Sequence, residues 1–389
     1  MPEIQDILIQ YWDEFKKNFP VHHNAFNVIQ ALINCRTSAM GAHIDKCVEC
    51  GHLSISYNSC RNRHCPKCQG LEREQWILKQ QANMLNEKYF HVVFTVPDDF
   101  NSVALKNQRV FYSLLFKAAS ETLQELALDK KYAQIGITAV LHTWGQTLSF
   151  HPHLHCIIPA GELSSINQWI KSKNNFFMPV KVIAKKFRGK FLAFFKKEVL
   201  AGNINFYGDI DFLNDNRSYQ GFIDTLYNKN WVVFCEKTFK NASYVVNYLA
   251  KYTNRVAIAN SRIVKVKNHQ VTFTYKNYKD KDKKKFMTLH VFEFIRRFLM
   301  HILPKRFKKI RYFGIMGSRN RKTKLLLCKK LTRTKIIEYI RLSTDQLIEK
   351  LGLEIKKCPV CGCHKFVTED KLPRNFKGPP DLILKFYKN

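Results

Sequence analysis

The stretch SFHPHLHCII, residues 149–158, places His151, His153 and His155 at alternate positions immediately before an apolar run. A spacing of two is the period of a β-strand, so the three imidazoles are expected on one face of a sheet, beside residues suited to a core. The flanking sequence extends the pattern. GITAVLHTW (136–144) and PHLHCIIPAG (152–161) read as two strands joined by a short turn region, and YFHVVFTVPDDF (89–100) opens as another strand. Helices are expected at about 107–129 and at 180–200, the second Lys-rich and amphipathic, with a strand at WVVFCEK (231–237). SYVVNYLAKYTNR (243–255) reads as a helix, and residues 256–278 alternate like a β-hairpin that turns at KNHQ.

Charge narrows the function. Sixty-four Lys and Arg against 31 Asp and Glu give the 389-residue chain a formal net charge of +33. Such an excess repels itself in a compact fold and calls for an anionic partner. Nucleic acid is the first choice, because phosphate neutralisation releases counterions. A membrane surface is second, but no stretch approaches the roughly 18 apolar residues of a spanning helix. Hydrophobic content of 46% and aromatic content of 13% exclude a mostly disordered chain. The start, MPEIQDILIQYWDEFKK, is acidic and amphipathic with no signal-peptide core, which predicts a soluble, cytoplasmic protein. Residues 294–337 hold 15 Lys or Arg and no Asp or Glu. A solvated face is the plain reading of such a run. The interleaved Phe and Tyr of PKRFKKIRYFG (304–314) favour a nucleic-acid surface, with Lys305, Arg306, Lys308, Lys309 and Arg311 as candidate contacts. Changes of pattern divide the chain at 1–88, 89–293 and 294–389.

Twelve cysteines fall largely into clusters. In CVECGHLSISYNSCRNRHCPKC (47–68), Cys47 with Cys50 and Cys65 with Cys68 form two CxxC knuckles separated by 14 residues. Two knuckles complete a tetrahedral thiolate site, so these four are expected to hold a structural Zn²⁺ ion. A redox dithiol is the alternative. Cys60 and His64 lie between the knuckles, as substitutes in that site or, with Cys35 or His43, as part of a second. The C-terminal KKCPVCGCHKF (356–366) offers Cys358, Cys361, Cys363 and His364, too compressed for four ligands to one ion. Three of them with a distant partner, or a metal-free turn, both fit.

His153 and His155 flank Leu154, and alternate residues on one strand face are roughly 7 Å apart, within reach of a shared cation. A pair that merely packs is the plainer alternative. The pattern HxHxDH of metallo-β-lactamases is absent, as is HExxH. For a third ligand, His142 across the expected hairpin comes first, Gln146 second, and His151 third because Pro152 turns its backbone aside. In NYLAKYTNR, Tyr248 and Tyr252 are four apart and share a helix face. Aromatic pairs at this spacing are usually core. Here Lys251, Asn254 and Arg255 lie among and after them, as a phosphate-facing surface requires. A phenol attacks phosphorus only with help, from a metal or from a cation such as Lys251.

Five blocks carry a resemblance: YNSCRNRHCPKCQ (57–69), YFHVVFTVP (89–97), LHTWGQTLSFHPHLHCIIPAG (141–161), YLAKYTNRVAIAN (248–260) and HILPKRFKKIRYFG (301–314). In this order, from about 31 to 314, the chain resembles the two-tyrosine HUH rolling-circle transposases of the insertion sequence 91 type. The resemblance implies an α+β fold with an HUH endonuclease domain, an antiparallel sheet flanked by helices. It implies Mg²⁺ or Mn²⁺ on His153 and His155, and Tyr248 and Tyr252 as nucleophiles that take single-stranded DNA at element ends through 5′-phosphotyrosine links. Exchange of phosphodiesters is nearly isoenergetic, and no GxxxxGK[ST] motif for ATP is present. A replication initiator or relaxase shares this chemistry. A non-catalytic zinc-ribbon DNA-binding regulator is the alternative from another class.

Overall fold

A computed structural model of the chain describes residues 2–131, 133–172, 178–239, 244, 246, 257–277, 280, 282–352 and 357–376. The fold is mixed α+β with antiparallel sheets, as expected. Its compact units interleave along the chain instead of running consecutively as 1–88, 89–293 and 294–389. One comprises 76–253 with 303–339, the other 1–75 with 254–302 and 340–389. Long-range strand pairing is the reason, because the C-terminal segment and the basic run supply strands to sheets begun elsewhere.

The first unit is built on five antiparallel strands in the order Ile310–Gly314, Gly136–Trp144, Phe150–Pro159, Tyr89–Thr95 and Val233–Phe239. The histidine strand Phe150–Pro159 is central. Phe90, Val92, Phe94, Leu154, Cys156 and Ile158 alternate onto one face and are buried. In the helix Val180–Leu200, Phe187, Phe191 and Phe195 recur at four and form one apolar stripe. Phe187 packs on Phe94 at 4.8 Å between ring centroids, and Phe191 and Phe195 pack on Phe100 at 5.3 and 5.1 Å. Each such ring removes enough surface from water to contribute about 2–3 kcal/mol. That layer leaves the opposite face for the histidines.

The edge strand Ile310–Gly314 comes from the basic run, where no strand was expected. It ends at Gly314 (φ 59°), where a Cβ would lie 1.8 Å from the Ile135 carbonyl oxygen, so only glycine permits this approach.

In the second unit, Ile4–Asn18 buries Ile4, Ile7, Leu8, Tyr11, Trp12 and Phe15 at helical spacing. Phe15 meets Phe292, of the helix Val291–Met300, at 5.8 Å. The expected hairpin is Ile263–Lys267 with Gln270–Asn277, and a third strand, Lys283–His290, extends it. Its turn residues Asn268 and His269 both have positive φ (51° and 55°), the requirement of a tight hairpin turn. A second sheet orders Phe366–Leu372, Ala42–Cys47 and Leu53–Tyr57, joining the two ends of the chain. Among the described residues, no helix is long and apolar enough to cross a membrane.

Candidate active site and metal centres

Register brings the histidines together. His153 pairs with His142 on one neighbouring strand and with Thr95 on the other. One ring nitrogen from each of His142, His153 and His155 lies within 4.8 Å of the other two. Ring centroids are 4.3 Å apart for His142 and His155, 5.3 Å for His142 and His153, and 5.0 Å for His153 and His155. His142 and His155 are buried and His153 half-buried. His153 Nδ1 donates to the His151 carbonyl at 2.7 Å, which turns Nε2 toward the group. Burial pushes the His153 pKa down to about 4 against that hydrogen bond, and burial, with His142, His153 and His91 close by, holds His155 well below its ordinary value. Both rings are therefore neutral near pH 7, the form in which imidazole offers a lone pair to a metal.

His151, the third choice for a ligand, stands outside the group. His151 instead faces Asp98, with Nδ1 and Oδ1 3.3 Å apart, and lines a cleft of about 320 Å³ with Thr95, Pro97, Lys229 and Trp231. Gln146 occupies the turn after Trp144.

One residue of the site was not singled out in the sequence. His91 is buried, stacks on His155 at 5.1 Å with 8° between ring planes, and holds its Nε2 2.8 Å from His155 Nδ1. This contact suits a His155 that carries its proton on Nδ1 and presents Nε2 to a cation. Alternation along YFHVVFTVP supplied the signal, since residues 91, 93 and 95 share the face that pairs with 153 and 155. As a positioning residue, His91 is expected to matter through metal affinity. His91→Ala should weaken Mn²⁺ binding about 10–100-fold in a direct titration, and unchanged affinity would refute the role.

Tyr248, Tyr252, Lys251 and Arg255 lie outside the described residues. Val246, two positions before Tyr248, is described and buried. It packs with Tyr89, Val140 and Ile157, residues of the histidine-bearing face. Among the basic candidates, Lys305, Arg306 and Lys308 are exposed and Lys309 half-buried. Arg311 differs. Its guanidinium sits 4.4 Å from the Phe116 ring and 5.2 Å from Phe307, and Nη2 donates to Ser113 Oγ at 3.2 Å. That packing anchors the edge strand, so the half-buried Arg311 is built into the fold.

In the other unit the cysteines form two groups, and the two CxxC knuckles part company. Cys35, Cys60, Cys65 and Cys68 form one group, and Cys47, Cys50, Cys358 and Cys361 the other, each with sulfurs mutually within 4.8 Å. The expectation of one site shared by Cys47, Cys50, Cys65 and Cys68 is thereby corrected. Cys35, at the end of the helix His23–Ile33, supplies Cys65 and Cys68 with a sulfur 3.6 Å from each. Pairing of Ala42–Cys47 with Phe366–Leu372 carries Cys358 and Cys361 to Cys47 and Cys50. His64 joins neither group, and its Nδ1 lies 3.1 Å from Asn62 Oδ1.

Comparison with known proteins points the same way. A family model described as "Transposase zinc-binding domain" matches residues 7–96, and one described as "Putative transposase" matches 136–324. "Putative transposase y4qJ" of Sinorhizobium fredii is 39% identical over 97% of each chain. "Transposase for insertion sequence element IS801" of Pseudomonas savastanoi pv. phaseolicola is 24% identical over 92% of this chain and 87% of its own. No solved structure matches.

Proposed function

The chain belongs to the zinc-binding transposases of the insertion sequence 91 type, and from that premise we propose that it cuts and rejoins single-stranded DNA at element ends through 5′-phosphotyrosine links, by HUH chemistry and rolling-circle transposition. The observation behind this reading is the convergence of His142, His153 and His155 on one face of the sheet, the face on which Val246 also packs. Tyr248 and Tyr252 follow Val246 by two and six residues.

Neutral imidazoles are a fit donor set for a divalent ion, and nitrogen ligands suit Mn²⁺ better than the oxygen-seeking Mg²⁺. Bound there, such an ion would draw electron density from the scissile phosphate and stabilise the charge that develops on its oxygens. The phenol oxygen of one tyrosine attacks phosphorus and loses its proton. The bond from phosphorus to the 3′ oxygen breaks, and that oxygen takes up a proton as a free 3′-hydroxyl. The second tyrosine holds a second strand in the same way, and a 3′-hydroxyl then attacks the phosphotyrosine in the reverse sense. One ester replaces another, so the exchange runs without nucleotide hydrolysis. Lys251 and Arg255 steady the phosphates at the nucleophiles, and Lys305, Arg306, Lys308 and Lys309 bind the strand backbone. Cys35, Cys60, Cys65 and Cys68 hold a structural Zn²⁺ ion in the domain that grips DNA.

A labelled single-stranded oligonucleotide carrying an element end, incubated with the full chain, tests the reading. Cleavage that requires a divalent ion and runs faster with Mn²⁺ than with Mg²⁺ is expected. Retardation of the DNA with no cleavage under any metal would assign the chain to a non-catalytic regulator.

A further inference from the structure

Neither family match reaches Cys358 or Cys361, which follow them both in the chain. We propose that these two cysteines, with Cys47 and Cys50, hold a second structural zinc ion that clasps the C-terminal segment onto the N-terminal ribbon, separate from the ion held by Cys35, Cys60, Cys65 and Cys68.

The two knuckles are built alike. Each reads Cys-x-x-Cys-Gly, at 47–51 and 358–362. In each, the glycine N–H donates to the first cysteine's carbonyl, Gly51 to Cys47 and Gly362 to Cys358, both at 3.0 Å. Both glycines adopt positive φ, 71° and 77°. The same turn is thus presented twice, 311 residues apart, with its sulfurs pointing at a common centre. Cys47 and Cys361 are 3.5 Å apart, and Cys50 and Cys358 3.6 Å. Thiolates bound at ~2.3 Å on a tetrahedron sit about 3.8 Å from one another, whereas a disulfide needs about 2.05 Å. The neighbouring Cys363 also interacts with Cys47 but falls outside this mutually close set, its sulfur accepting the Lys365 N–H at 3.2 Å.

The sheet supplies the reason for a clasp. Phe366–Leu372 pairs with Ala42–Cys47, with Phe366 opposite Cys47, yet five of its seven residues are exposed and two half-buried. Little apolar burial holds this strand, and its partner lies more than 300 residues away, a long loop to close. Metal binding offsets that ordering cost at the point where the strand begins. The inference stands apart from the DNA chemistry and can fail or hold without it.

Zinc content of the purified full-length protein, measured by mass spectrometry of the metal, decides it. Wild type should carry two zinc ions per chain, Cys358→Ser with Cys361→Ser one, and the Cys363→Ser control two. In the double variant, trypsin should also cut the segment after residue 340 faster than in wild type. Wild type with a single zinc, or a folded double variant that keeps two, overturns the proposal. Should the double variant fail to fold, cobalt titration of metal-stripped wild type replaces it. Two equivalents with the spectrum of tetrahedral cobalt thiolate support the clasp, and one equivalent refutes it.

Discussion

Replacing Tyr248 and Tyr252 together by Phe is expected to abolish the covalent protein–DNA adduct on a single-stranded oligonucleotide, a loss on the order of 10⁴-fold or more. Phe keeps the aromatic ring but lacks the phenol oxygen proposed to attack phosphorus. Each single variant should still form an adduct, because the proposed mechanism has two nucleophiles. Strand transfer should suffer in both singles, since joining donor to target needs two strands held at once. Adduct formation by the double variant at the wild-type level would remove the tyrosines from the mechanism. The measurement is a denaturing gel that follows labelled DNA into the protein band, and retardation of DNA in a native gel serves as the folding control.

The second large effect belongs to the histidines. His153→Ala with His155→Ala should eliminate metal-dependent nicking while leaving DNA retardation intact, because it takes two of three nitrogens from the cluster. The loss should be on the order of 10³-fold or more, as expected when the group that stabilises transition-state charge is removed. His155 is buried on the central strand, so its truncation also opens a cavity and lowers stability by about 1–3 kcal/mol. His153→Gln, which keeps volume and a polar tip at the half-buried position, separates the two effects. Its thermal unfolding should match wild type while nicking falls. Nicking that survives the double substitution, with its metal dependence intact, would sink the HUH assignment.

Much of the fold was legible in the sequence. The strands at 89–95, 136–144 and 150–159, the helix at 180–200 and the hairpin turning at 268–269 follow from periods of two and four and from turn chemistry, all of them local. Alternation likewise foretold that 151, 153 and 155 share a face, and the strand before them made His142 the leading third ligand. For these elements, where the signal was a short local pattern, sequence and structure agree.

Cross-strand register decided what the pattern left open. His151 shares the alternation of His153 and His155, yet it ends beside Asp98, since the group closes around the residues that register sets against His142. His91 entered the site because antiparallel pairing put the 89–95 strand on the other side of 150–159. Arg311, one of 15 positive charges in the run 294–337, became an anchor once its strand docked at the sheet edge between Phe116 and Phe307.

By itself, then, the sequence determined the chemistry available: thiolate knuckles, alternating imidazoles, a phenol pair at helical spacing and a large basic excess. Tertiary structure alone decided which of these groups meet. Cys47 and Cys50 find Cys358 and Cys361 and not the nearer Cys65 and Cys68, because a strand from the far end of the chain pairs with Ala42–Cys47. Spacing reports only neighbours along the chain, whereas a metal site is fixed by distances across it, and those depend on pairing between segments hundreds of residues apart.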